Sequence, residues 1–218
     1  MKKKFKCFKV FTKKSKALQD FNNLDYYEYS FSDPSKYNTE KLTSIIDVFL
    51  KKINREDISP FVGICMGEIV SNSIKANLKR AHFILNNLDI NNPKDYEIGM
   101  QTFHDEGLCL LKNKSTAKKI DKMNLYVKVI LSINNNQFKI ITINNCAITP
   151  EEQERIYAKL KLSEDTESED LFPESVDTTE GSGLGIIMIQ RLMSQMGLPR
   201  ESFTIYAKGN ETFTELLI

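Results

Sequence analysis

Residues 67–77 read GEIVSNSIKAN, and the prediction of the fold starts from this stretch. Glu68, Asn72 and Lys75 are spaced so that, on a helix, their side chains lie on one stripe. A carboxylate, a carboxamide and an ammonium group arranged in this way can serve as a base, a ligand to Mg²⁺ and a contact to phosphate. Taken alone, the pattern is more typical of a solvated helix face with a local Glu/Lys pair.

Residues 180–193 read EGSGLGIIMIQRLM and place three glycines before an apolar helix. Glycine permits backbone conformations that other residues avoid, and it lets main-chain N–H groups approach a ligand. The N-terminus of the helix that follows adds partial positive charge, which suits phosphate. No G-K-[ST] follows, so this is not a P-loop. The glycines alone are equally typical of a flexible loop before a helix.

A β-hairpin is predicted from residues 125–143. Two β-branched runs, LYVKVILSI and QFKIITI, are joined by three asparagines, which tolerate the positive φ that tight turns require. The second run ends in Asn144 and Asn145, and a helix is predicted from Pro150. A carboxamide at this strand end can meet the edge of a base, although a plain turn before a helix cap fits the segment equally well.

The remaining elements complete an α+β pattern. A strand is predicted at residues 26–31, a helix from Thr39 that Thr39 or Asn38 caps, and a long helix after Pro60. A further helix runs to Gly197, and two closing strands flank residues 209–210. Helices, a hairpin, then helices and a second hairpin predict a two-layer α/β sandwich, with a mixed, mostly antiparallel sheet covered by helices on one face.

Composition narrows the class of protein. With 218 residues, 41% of them hydrophobic, the chain can bury an ordinary core, and a net charge of +1 does not indicate a nucleic-acid partner. No apolar stretch approaches the ~18 residues of a membrane span, and the lysine-rich start lacks the features of a signal peptide. We therefore expect a cytoplasmic protein. The four cysteines are far apart and are expected to be buried, reduced thiols.

In order and spacing, these segments resemble the GHKL class, the histidine kinase-like ATPase domains. GEIVSNSIKAN is similar to the family's N box, R-E-L-x-x-N-A-x-K-H, and the glycine loop is similar to its G2 box, G-x-G-L-G. The ending GNETFTELLI is similar to G-x-G-T-x-F-x-I-x-L. The resemblance covers residues 60–218, with an insertion at 91–124 and a lid at 149–180. Residues 1–59 are then an N-terminal extension that packs on the domain.

The resemblance implies a domain that binds Mg²⁺-ATP between its helical layer and the lid. It implies that Glu68 polarises water or an acceptor group, that Asn72 binds Mg²⁺ and that Lys75 contacts phosphate. It also directs Thr212 toward adenine. The phosphates would be cradled by the glycine loop, at Gly181, Gly183, Leu184 and Gly185.

The G1 box departs from the family pattern. Where the family has D-x-G-x-G, whose aspartate accepts a hydrogen bond from the adenine amino group, this chain has NNCAI at residues 144–148. Asn145 is chosen for the aspartate position, because Ile143 then takes the apolar strand position two residues earlier; Asn144 is the alternative. An uncharged amide acceptor weakens this bond by about 1 kcal/mol.

The expected activity is that of a stand-alone protein kinase in cytoplasmic signalling, which phosphorylates a separate protein on histidine, serine or threonine. The expected partner or substrate is a protein such as a response regulator or an anti-sigma-type target. The alternatives are a nucleotide-gated interaction module with weak or no catalysis, and an inert scaffold whose basic start and acidic residues 164–180 bind partners. His82 is expected to be structural. His104 resembles the start of an H box but lies in the insertion, so we expect no phosphoryl transfer to it.

Overall fold

The computed structural model describes residues 25–106, 119–120, 122–165 and 184–218. The strands are β1 (Tyr26–Phe31), β2 (Val127–Asn134), β3 (Gln137–Asn144), β4 (Phe203–Lys208) and β5 (Glu211–Leu217). The α-helices are α1 (Thr39–Lys52), α2 (Ser59–Leu85), α3 (Pro93–Glu106), α4 (Pro150–Asp165) and α5 (Leu184–Gln195). The strands form one sheet in the order β1-β2-β3-β5-β4. The predicted α+β sandwich is confirmed, and every strand pair within the described ranges is antiparallel.

Both predicted hairpins are confirmed, and their turns have the expected backbone. Asn135 and Asn136 have φ of 50° and 62°, and Gly209 has φ of 60°. Positive φ at the centre of a two-residue turn matches the right-handed twist of the strands, so asparagine and glycine are the residues that close such turns. These turns set the register within each hairpin, and the pairing of β3 with β5 joins the two hairpins and places Asn144 opposite Thr212.

The core lies between the sheet and the helices. In β3 the buried side chains alternate along the strand, with Phe138 and Ile140 at most 1% exposed. Phe138 meets Phe49 of α1 with ring centroids 5.3 Å apart. The same core contains Val70 of α2 and Met193 of α5. Burial of each such side chain contributes about 1.5–3 kcal/mol, so the core anchors the three helices to one face of the sheet.

The N-terminal strand and helix share this sheet and core. β1 pairs with β2 along its length, and α1 buries Ile46 and Leu50 completely. Of the two predicted caps of α1, the structure uses Asn38, whose Oδ1 accepts from the Lys41 N–H at 2.8 Å. The described part of the predicted extension, residues 25–59, therefore contributes an edge strand and a core helix. The basic start, residues 1–24, lies outside the described residues.

Two helix ends carry the residues that the sequence predicted there. Pro60 lies in the first turn of α2, where its missing N–H is tolerated. α5 ends at a cap in which Gly197, with φ of 70°, lets the Leu198 N–H donate to the Met193 carbonyl. Among the helices of the described ranges, none combines the length and apolar character that a membrane span requires.

Candidate functional site

A cavity of about 500 Å³ opens between the helical layer and the ends of β3 and β5. Its walls come from α2, α3, α4 and α5, from the corner that joins β3 to α4, and from the inner face of the sheet. A volume of this size falls in the range of small-molecule sites. Seven of the residues singled out in the sequence line it: Glu68, Asn72, Lys75, Asn144, Leu184, Gly185 and Thr212.

One stripe of α2 forms a wall of the cavity. Glu68, Asn72 and Lys75 all face the cavity, and Lys79 continues the stripe by one more turn. At 1.5 Å per residue, the stripe from Glu68 to Lys79 extends about 16 Å. A carboxylate and an amide at one end and two ammonium groups farther along can contact a ligand that carries several charged groups in a row.

The N-terminus of α5 approaches this stripe closely. A Cβ atom added to Gly185 would lie 2.5 Å from Oε2 of Glu68 and 3.7 Å from Nδ2 of Asn72. Only a residue without a side chain leaves the Glu68 carboxylate in its position. The structure thus brings the last glycine of the loop against the two oxygen-bearing side chains of the stripe, although 113 residues separate Asn72 from Gly185 in the sequence.

The ends of β3 and β5 form the floor. Asn144 is 3% exposed and lines the cavity beside Thr212, its partner in the sheet. The Thr212 hydroxyl donates to the Cys146 carbonyl at 2.5 Å, and Asn144 Nδ2 lies 3.5 Å from the same oxygen. A threonine and a carboxamide at the bottom of a cavity are groups that can read the polar edge of a ring.

Asn145, the first choice for the aspartate position, does not line the cavity. Its Oδ1 accepts from the Tyr126 N–H at 2.7 Å, and its Nδ2 donates to the Asn124 carbonyl at 2.8 Å. Both halves of the amide are used to hold the chain that enters β2. The structure places Asn144 in the cavity instead, because the inward side of β3 carries Ile140, Thr142 and Asn144 rather than Ile143.

Several other predicted features lie outside the described residues. Gly181 and Gly183 belong to this group, as does residue range 166–180 of the predicted lid, whose beginning is α4. In the insertion, residues 93–106 form α3, and the side chain of His104 is not described. His82 is fully buried, with Nε2 2.8 Å from Oγ1 of Thr102. This environment is that of a structural histidine, as predicted.

A buried ion-pair cluster at the α4 end of the cavity was not predicted. Glu152 accepts from Lys79 at 2.6 Å and receives two bonds from the Arg80 guanidinium, at 2.9 and 2.6 Å. The two ends of the cluster are 72 residues apart in the sequence. The sequence contains a signal for the α4 half of this cluster, because Thr149 and Glu152 have the spacing of a capping box. Both hydrogen bonds of that box form in the structure.

The charge of Glu152 is maintained by its partners. Burial opposes ionisation, but the hydrogen bond from Arg80 and the charges of Lys79 and Arg80 outweigh it, so the pKa of Glu152 is lowered to about 2. The side chains of this cluster are only 10–12% exposed. The first turn of α4 is thereby fixed to α2 at neutral pH.

Positive charge dominates the rest of the wall. Arg155 and Lys159, one turn apart on α4, join Lys75, Lys79 and Arg80, while Glu68 and Glu152 are the acidic residues among the described part of the lining. The ring of Tyr96 in α3 supports Arg155, with the guanidinium 5.7 Å from its centroid. An excess of cations in a partly enclosed cavity favours an anionic ligand.

The described thiols are buried and free, as expected. Burial raises the pKa of Cys65 to about 12 and that of Cys146 to about 11, with Arg80 opposing the second shift. Sγ of Cys146 donates to Oδ1 of Asn77 at 3.0 Å. Both are neutral at physiological pH, so neither is suited to act as a nucleophile.

Comparison with known proteins gives little functional information. An uncharacterized protein of Treponema pallidum (strain Nichols) is 28% identical over 176 residues, which is 80% of this chain and 34% of that protein. The chain thus spans about a third of the length of the curated relative. No family model and no solved structure matches.

Proposed function

We propose that this protein binds Mg²⁺-ATP in the cavity between α2, α5 and the ends of β3 and β5. The observation that carries the proposal is the convergence of Glu68, Asn72 and Gly185. Glu68 and Asn72 belong to the segment that resembles the N box, and Gly185 belongs to the distant segment that resembles the G2 box of the same ATP-binding fold. Two unrelated surface patterns would have no reason to meet in one cavity.

The residues present fit a magnesium polyphosphate. Mg²⁺ prefers oxygen ligands and keeps several waters, so the Asn72 amide oxygen and phosphate oxygens are sufficient partners. Lys75 supplies positive charge on the same stripe. The first turn of an α-helix has N–H groups without partners inside the helix, and the start of α5 also carries the positive end of the helix dipole. The phosphates would therefore lie along the first half of the α2 stripe, toward Gly185.

The adenine ring would lie on the floor of the cavity. We assign Asn144 and Thr212 to the edge of the base, because both line the cavity and are paired across β3 and β5. The Thr212 hydroxyl already donates to a carbonyl, so it can accept a hydrogen bond from the ligand. Asn144 offers an uncharged acceptor where related domains have an aspartate.

Phosphoryl transfer to a separate protein is the activity we propose for the bound nucleotide. Bound Mg²⁺-ATP would supply the phosphoryl group, and Glu68 would take the proton of the incoming hydroxyl or imidazole. A cytoplasmic signalling partner, such as a response regulator or an anti-sigma-type protein, fits the resemblance. The nucleotide-gated module without catalysis shares the same binding site.

Calorimetric titration with Mg²⁺-ATP, ADP and GTP tests the binding proposal. Asn72→Ala should abolish the Mg²⁺-dependent part of ATP binding, and its melting temperature without ligand should remain near that of the wild type, because Asn72 is exposed. Gln153→Ala is the matched control, since it removes an exposed amide from a position of α4 that does not line the cavity. Unaltered affinity in Asn72→Ala, or no binding by the wild-type protein, would refute the assignment.

Lysine variants give a second comparison. Lys75→Ala should weaken ATP binding, because it removes positive charge from the cavity, whereas Lys51→Ala removes an equally exposed lysine from α1. Equal effects of the two substitutions would show that only net charge matters. Transfer of label from γ-labelled ATP to candidate partner proteins then separates a kinase from a module that only binds.

A further inference from the structure

The corner between β3 and α4, residues 145–149, is attached to α2 at two points. Asn77 accepts from the Cys146 thiol at 3.0 Å, and its own Nδ2 donates to the Tyr126 carbonyl at 2.9 Å. Three residues farther along α2, Arg80 donates to the Ala147 carbonyl at 2.5 Å. Residues three apart lie on one face of a helix, so α2 holds the corner with adjacent side chains.

Arg80 also binds the first turn of α4. Its guanidinium binds both oxygens of Glu152, which closes the capping box with Thr149. One planar group thus contacts the corner and the first turn of α4 at once. Lysine carries the same charge but a single ammonium, so it cannot reproduce this set of bonds.

The corner contacts both residues assigned to the base. The Cys146 carbonyl accepts from Thr212 and lies 3.5 Å from Asn144 Nδ2, and Cys146 and Ile148 line the cavity on either side of Ala147. The residues assigned to the phosphates lie elsewhere, on the first half of the α2 stripe and at Gly185. A shift of the corner would therefore move the base contacts and leave the phosphate contacts in place.

We propose that Arg80 is a positioning residue for nucleotide recognition: by holding the Ala147 carbonyl and Glu152 together, it sets the affinity for the base and not the affinity for the phosphates. This inference rests on the proposed function, because it assumes a nucleotide with its base at Asn144 and Thr212. Arg80 would then contribute to the selection of the base indirectly, since Asn144 and Thr212 are the residues that would contact it.

The test compares the dissociation constants of ATP and inorganic tripolyphosphate, each with Mg²⁺, for the wild type and Arg80→Lys. We expect Arg80→Lys to weaken ATP by about tenfold and to change tripolyphosphate by less than about twofold. If tripolyphosphate binds too weakly to measure, GTP replaces it as the reference, because it carries the same triphosphate as ATP. The ratio of the dissociation constants of GTP and ATP should then differ between Arg80→Lys and the wild type by at least about threefold.

Arg55→Lys is the matched control. Arg55 also donates to a backbone carbonyl, that of Met196 at 2.8 Å, but it does not line the cavity. Its substitution should leave both dissociation constants unchanged. Equal weakening of ATP and tripolyphosphate in Arg80→Lys, or no change in either, would overturn the inference.

Two further outcomes are kept distinct. If the wild-type protein binds neither ATP nor tripolyphosphate, the proposed function has failed, and the inference fails with it. If Arg80→Lys does not fold, Glu152→Gln replaces it, since it keeps the guanidinium and weakens its anchorage. The same selective loss of ATP affinity, with a smaller amplitude, supports the proposal, and equal losses for the two ligands contradict it.

Discussion

Asn144 and Asn145 are identical in chemistry and differ in what surrounds them. Asn144 lines the cavity beside Thr212, whereas the side-chain amide of Asn145 forms hydrogen bonds with the backbone of residues 124 and 126. A substitution that adds charge should therefore have different consequences at the two positions. At Asn144 it would face the proposed ligand, and at Asn145 it would face a carbonyl oxygen of the protein.

We predict that Asn144→Asp tightens ATP binding by up to about tenfold, since a carboxylate accepts a stronger hydrogen bond than an amide. Asn145→Asp should leave ATP affinity unchanged and lower the stability, because Asp cannot donate to the Asn124 carbonyl. Titration calorimetry and urea unfolding measure the two effects. If Asn145→Asp tightens ATP binding and Asn144→Asp does not, the base contacts the opposite face of β3.

Gly185 gives a second prediction for a single residue. Its missing side chain leaves room for the Glu68 carboxylate, so Gly185→Ala should displace that carboxylate into the cavity. We expect Mg²⁺-ATP to bind about tenfold more weakly. The melting temperature should stay the same or rise slightly, because Glu68 is flexible at its end and alanine favours the helix.

Gly67→Ala is the control for Gly185→Ala. It adds the same methyl group to α2, where no described residue outside the local helix backbone lies within 4 Å of the new Cβ. Its ATP affinity should equal that of the wild type. If Gly185→Ala also binds ATP with wild-type affinity, ATP binding does not require the Glu68 carboxylate to remain in its observed position.

Helix α4 depends on one carboxylate for both its cap and its attachment. Because the pKa of Glu152 is lowered from 4.5 to about 2, the ion pair stabilises the folded state fully above pH 4.5 and progressively less as the pH falls toward 2. The size of the shift corresponds to about 3 kcal/mol. Among the elements of the site, α4 is therefore expected to be sensitive to acid.

We predict that Glu152→Gln lowers the free energy of unfolding by about 3 kcal/mol at pH 7. The difference from the wild type should shrink between pH 4.5 and pH 2, since the wild-type pair is itself lost there. Urea unfolding at pH 7, 4.5 and 2.5 measures this. Glu154→Gln, an exposed position on the same helix, is the control, and a difference that is independent of pH would contradict the assigned ion pair.

On the scale of the whole molecule, the arrangement of its histidines bears on the proposed transfer. An acceptor must approach the γ-phosphate in line at about 3 to 3.5 Å. His82 is fully buried, and it lies ten residues beyond Asn72 on α2, or about 15 Å along the axis. This histidine cannot reach a nucleotide bound at Asn72 without unfolding of the helix.

We therefore predict that the protein does not phosphorylate itself on histidine. Purified protein incubated with γ-labelled ATP should carry no label that is lost in acid and stable in alkali. His104, whose side chain lies outside the described residues, is tested with the His104→Ala variant. Substantial label that disappears in this variant would make the protein a self-contained histidine kinase.

The sequence alone was sufficient for the features that depend on local structure. Periodicity predicted α2 and its stripe of Glu68, Asn72 and Lys75, and the asparagine and glycine turns predicted both hairpins. These features follow from backbone conformation over a few residues, so the α+β class could be inferred from their order. The stripe itself did not reveal what it faces, because the same spacing occurs on solvated helices.

The tertiary structure decided which residues share the cavity. Successive side chains of a strand point to opposite faces, so an error of one position moves a residue from the core to the other side. Because Ile143 is apolar, the sequence predicts it on the inward face of β3, and this prediction selects Asn145. In the structure Thr142 takes the inward position, so Asn144, two residues later, faces the cavity. Only the pairing of β3 with β5 shows that Asn144 meets Thr212. Likewise, the contact of Arg80 with Glu152 depends on how α2 and α4 pack across many intervening residues, and no local pattern encodes that distance.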